Sequence, residues 1–130
     1  MKEQLEKVGD FHKAFEIDKV YSKEDEGFSA HALLRYTLMR EENEEYLEAI
    51  KSGSEVEIAD ALGDMLYILC GTILNHGLQN VIEKVFEEIH RSNMSKLDAD
   101  GRPIYREDGK VLKGPNYFPP NLKPLLEMEK

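Results

Sequence analysis

The segment EIADALGDMLYILCGTIL, residues 57–74, constrains the fold more than any other stretch. Its second half, MLYILCGTIL (65–74), is apolar or small on every face of a helix, so a helix there has to be buried all round. The run is about half the ~20 residues that a membrane span needs, which makes it a core helix. Ala59, Ala61, Gly63 and Gly71 let neighbouring backbones approach it closely. A chain of 130 residues has little to spare for covering such a helix on all sides, so one side is predicted to bury in a second subunit.

Start and stop signals delimit this helix. Ser54 is an N-cap residue with Glu57 three positions on, the pattern of a capping box. The helix is predicted to run to about His76, with Gly77 as its stop. Before it, Leu5, Val8, Phe11, His12 and Phe15 recur at helical spacing and predict a helix over 2–16. Residues 17–28 read as a loop, and 29–51 as a second helix ending before Ser52-Gly53. A fourth helix is predicted over 79–96. Beyond Leu97 the 3.6-residue period stops. Gly and Pro become frequent, Asp108-Gly109 marks a hairpin, and PLLEME suggests a short turn of helix. The expectation is an all-α fold. It is a four- to five-helix bundle with an irregular, hairpin-bearing C-terminal segment, forming one domain over 1–130. The helical body spans about 2–96 and the basic segment about 97–130.

The net charge of −9 argues against nucleic acid or an anionic membrane as partner. The charge is uneven. Residues 1–90 carry 9 Lys/Arg against 20 Asp/Glu, and residues 91–130 carry 8 against 6. An acidic body beside a basic segment suits joint binding of a cation and a phosphate. The lone cysteine, Cys70, precludes an intrachain disulfide, and MKEQLEKVGDF has no apolar signal region, so a cytoplasmic location is expected.

Two helices point acids inward. With about 100° of turn per residue, Glu42 falls within the stripe formed by Leu34, Leu38, Tyr46 and Ala49. Glu45 lies at its edge and Glu41 just beyond, while Glu44 points away. On the next helix Glu57, Asp60 and Asp64 share the face continued by Tyr67, Ile68 and Gly71. Two carboxylates about 5 Å apart repel by roughly 3 kcal/mol even at an effective dielectric of ~20. The nearby bases are Arg35 and Arg40, and Arg40 points outward. A divalent cation is therefore expected, and all-oxygen ligands favour Mg²⁺ or Mn²⁺ over Zn²⁺ or copper. On the fourth helix Ser92, Lys96 and Asn93 continue the buried stripe. Asn93 and Lys96, with Lys110 and Lys113 of the hairpin, are candidate phosphate contacts.

These residues resemble a known family. Glu41-Glu42-x-x-Glu45, followed by Asp60 and Asp64, is similar to the acidic motif of the MazG-like all-α nucleoside triphosphate pyrophosphohydrolases. That superfamily includes dimeric dUTPases and phosphoribosyl-ATP pyrophosphohydrolase. DALGDMLYILCGT, SNMSK and DGKVLK resemble the branch between MazG and dUTPase types, and the likeness extends over residues 5 to 120. The family writes Glu-x-x-Asp before a Leu-Leu-Tyr-like run. Here Asp64 has Ala61 three residues earlier, so the fourth ligand is either Asp60 or Glu57.

The resemblance implies hydrolysis of a nucleoside triphosphate between its α and β phosphates, for nucleotide-pool house-cleaning. dUTP or another pyrimidine deoxynucleotide is the expected substrate. It implies Glu42, Glu45, Asp60 and Asp64 as metal ligands and Glu41 as the base that activates water. Asn93, Lys96, Lys110 and Lys113 would hold phosphates, and the protein would be a homodimer or homotetramer.

Two rivals read the same residues differently. A di-iron bundle needs two Glu-x-x-His motifs, and only Glu87-x-x-His90 is present. A non-catalytic nucleotide or metal sensor needs fewer mutually repelling acids.

Overall fold

A computed structural model describes residues 1–128. It is all-helical, with α1 at Lys2–Ala14, α2 at Phe28–Ser52, α3 at Glu55–Asn75, α4 at Ile82–Met94 and α5 at Lys123–Met128. Glu129, the last residue of PLLEME, lies outside the described residues. Among the described residues no helix is long and apolar enough to cross a membrane. The chain divides into two compact units, residues 1–79 and 80–130.

In the first unit α3 packs against both α2 and α1. It begins as its sequence predicts, with the Ser54 hydroxyl accepting from the Glu57 backbone N–H at 3.3 Å. The return half of the capping box does not form. Glu57 instead accepts from the Ser52 hydroxyl at 2.5 Å, and Ser52 Oγ also accepts from the Ser54 N–H. The helix ends in a Schellman turn on Gly77, at φ 69°, where Gly77 N–H bonds to Leu74 and Leu78 N–H to Ile73. α1 ends in the same way, with Glu16 at φ 60° in the position that glycine normally takes. Leu5, Val8 and His12 of α1 are buried. Phe11 and Phe15 occupy the flank of that stripe and stay exposed, their rings 4.4 Å apart.

In the second unit α4 starts at Ile82 and ends at Met94, inside the predicted 79–96; at the C-terminal end the last turn tightens into i→i+3 bonds at Ser95 and Lys96. The Asp108-Gly109 hairpin is present as one antiparallel bridge, Tyr105 to Val111, with Gly109 at φ 88°. Residues 114–121 then strap along α4. Ser92 donates to the Phe118 carbonyl at 2.8 Å, Arg91 lies over the Phe118 ring at 4.5 Å, and Glu88 accepts from the Asn121 N–H at 2.7 Å. Gly114 is needed where the strap meets the end of α4, since a Cβ there would collide with the Leu97 and Lys96 carbonyls.

Candidate metal centre

α2 and α3 bring Glu42, Glu45 and Asp64 together. One carboxylate oxygen from each lies within 4.8 Å of the others. Glu42 and Glu45 stand one turn apart on α2, which sets them on one side of the helix. Glu42 is half-buried, and its Oε2 is enclosed without a hydrogen-bond partner. Burial raises the Glu42 carboxyl above the ordinary glutamate range. A hydrogen bond that the protonated Glu42 donates to Glu45, and the charges of Glu45, Asp64 and Glu41, raise it further. The group is thus held either by a shared proton or by a cation.

Among the described residues no basic side chain is seen to pair with this cluster. Arg40 is exposed and turns to Glu44, at 3.9 Å, and to the Tyr36 ring. Arg35 is buried, but it donates to Thr72 and to the Ile68 carbonyl. An enclosed carboxylate oxygen without a donor, in an all-oxygen set of three, fits a hard divalent ion such as Mg²⁺ or Mn²⁺.

The other residues singled out from the sequence fall elsewhere. Glu41 is exposed beside Glu42, close enough to act on its charge. Asp60 is exposed and is not among the three acids that converge, and Glu57 is occupied by Ser52. Asn93 is exposed and Lys96 half-buried at the end of α4, Lys110 is exposed on the hairpin, and Lys113 lies 4.8 Å over the Tyr117 ring. Glu87 and His90, the remnant of the di-iron pattern, line a cleft with Arg91 and Asn121 in the second unit. What the sequence reading passed over is the set of neutral acceptors that takes up Arg35. Thr72 at a buried position in the mostly apolar second half of α3 was the available signal.

A comparison with curated proteins finds no match. Residues 8–93, about two-thirds of the chain, match the phosphoribosyl-ATP pyrophosphohydrolase family, and this stretch contains all three converging acids. This chain therefore belongs to the phosphoribosyl-ATP pyrophosphohydrolase family, within the MazG-like all-α superfamily of pyrophosphohydrolases.

Proposed function

We propose that this protein hydrolyses a nucleoside triphosphate between its α and β phosphates, releasing the monophosphate and pyrophosphate. A pyrimidine deoxynucleotide such as dUTP is the preferred substrate. The observation that carries the reading is the convergence of Glu42, Glu45 and Asp64 around an enclosed oxygen that, among the described residues, has no hydrogen-bond partner, in a chain of a pyrophosphohydrolase family.

In this reading Glu42, Glu45 and Asp64 hold Mg²⁺ or Mn²⁺. Asp60 stands one turn before Asp64 on α3 and stays outside the set. The bound ion would neutralise the polyphosphate and lower the pKa of a nearby water. Glu41 takes the proton of the attacking water. As the new P–O bond forms, the α–β bridging P–O bond breaks and its electron pair leaves with the departing phosphate. Asn93, Lys96, Lys110 and Lys113 are proposed as phosphate contacts on the chemistry of their side chains alone. We further propose one functional domain in a homodimer or homotetramer, acting in the cytoplasm. Support for the oligomer is that Leu33, Leu34 and Leu47 of α2 and Leu62, Leu66 and Leu69 of α3 are left exposed in one chain.

The test is pyrophosphate release from a panel of (d)NTPs with Mg²⁺, Mn²⁺ or EDTA, beside Glu42→Gln. Metal-dependent release that vanishes in the variant is expected. A folded, metal-bound protein that releases no pyrophosphate from any nucleotide would overturn the reading. One observation favours a second reading, a non-catalytic metal or nucleotide sensor. Ala61 stands where an acid would complete the motif, and three carboxylates rather than four converge. That same null result in the panel would select it.

A further inference from the structure

Arg35 is 5% exposed, yet among the described residues no carboxylate pairs with it. Its Nε donates to Thr72 Oγ1 at 3.1 Å and its Nη2 to the Ile68 carbonyl at 2.8 Å. Both acceptors are neutral, so a full positive charge stays inside the first unit. Beside it lies His12 of α1, 3% exposed, with an enclosed Nδ1 that has no partner. His31 of α2 is close as well. Its ring stacks on Tyr21 at 4.1 Å between centroids, and its Nε2 is enclosed without a partner.

The cluster closes tightly over Gly71 of α3. A Cβ on Gly71 would come within 2.6 Å of Arg35 Nη2 and 2.7 Å of His12 Nε2. Arg35 and His12 therefore rest on bare α3 backbone, and the cluster joins all three helices of the unit.

We propose that this cluster is an acid-sensitive joint, which holds α1 against the α2–α3 pair only while His12 and His31 are neutral. Arg35 cannot surrender its proton, so any response to pH falls on the imidazoles. Arg35 and His31 of α2 and Asp18 of the following loop act on His12. Arg35, His76 at the end of α3, Lys19 and a hydrogen bond with Asn75 act on His31. Only Asp18 favours charge on His12, and only Asn75 favours it on His31. Burial first, and Arg35 next, outweigh both and lower the two pKa values below the free imidazole value. An unfolded chain takes up protons on these residues near pH ~6.5. The folded joint resists them until lower pH, so folding stability is full above that value and falls as pH drops through it. Protonation within the fold sets a second cation against Arg35 and releases α1. The inference is independent of the reaction proposed above.

The experiment uses the full metal-free chain between pH 8 and 5.5. Ring resonances of His12 and His31 are followed by NMR, with amide exchange of α1 and melting midpoints for wild type and His12→Asn/His31→Asn. Both rings should stay neutral through the range where a free imidazole titrates. The wild-type midpoint should fall by roughly 5 °C, and the double variant should lose most of that dependence. Glu42 is common to both proteins and cancels in the comparison. Either ring titrating near ~6.5 with α1 still protected from exchange would overturn the joint. So would equal pH slopes in the two proteins. If the double variant does not fold, the ring titration of the wild type decides alone.

Discussion

Two levels of the same α2–α3 seam solve opposite electrostatic problems. At one level Glu42, Glu45 and Asp64 gather negative charge where Glu45 is open to solvent. Two turns of α2 earlier, Arg35 keeps one positive charge enclosed and surrounds it with neutral acceptors and imidazoles. The acidic level is unbalanced and partly open, an arrangement that suits a cation. The basic level is balanced by suppressing further charge and is packed shut on Gly71. Openness, more than the number of charges, separates a binding site from a structural joint here.

The largest effect expected of any single change is on activity. Glu42→Gln should lower kcat/KM by roughly 10³-fold, about 4 kcal/mol of transition-state stabilisation, and remove metal-induced stabilisation in a thermal melt. Without metal the same variant should melt a little higher than wild type, because it removes a carboxylate that burial and its neighbours disfavour in the charged form.

Metal affinity should fall with pH next. Glu42 is raised above the ordinary glutamate value of ~4.3, so protons compete with the ion at higher pH than an exposed cluster would show. Calorimetric Mn²⁺ titrations across pH 7 to 5 check this. They should approach a tenfold loss per pH unit at the acid end, with proton release on binding.

The two glycines of α3 compare the levels directly. Gly63 has nothing within 4 Å of an added Cβ, whereas Gly71 has Arg35 and His12. Gly63→Ala should stabilise by about 0.5–1 kcal/mol through helix propensity. Gly71→Ala should destabilise by about 1–2 kcal/mol despite the same gain. Urea denaturation of both variants reads the difference. A change as small as that at Gly63 is expected at Glu16, outside the seam. Glu16→Gly relieves a left-handed backbone and should stabilise by about 0.5–1 kcal/mol in the same assay.

Much of this fold was legible in local chemistry. Ser54, Gly53 and Gly77 mark helix ends through their own side chains or lack of them, and the structure places the ends there. The inward turn of Glu42 followed from helical rotation alone. Choosing between Asp60 and Glu57 as the companion of Asp64 did not, since all three share one stripe of α3. Ser52, across the α2–α3 turn, takes Glu57, and no sequence period shows that bond. Arg35 was legible as a nearby base but not as a buried one, because its surroundings come from three helices. Phe11 and Phe15 fit the α1 pattern as well as Leu5 and Val8 do, yet they sit on the flank that no element of the first unit covers fully.

The central claim is that a divalent cation sits on Glu42, Glu45 and Asp64. Its most direct measurement is Mn²⁺ binding, by calorimetry at pH 7.5, to wild type, Glu42→Gln, Asp64→Asn and Asp60→Asn. The account predicts binding by wild type and Asp60→Asn with similar affinity, and loss of binding in the other two. No binding by wild type, or a loss in Asp60→Asn as large as in Asp64→Asn, would contradict it.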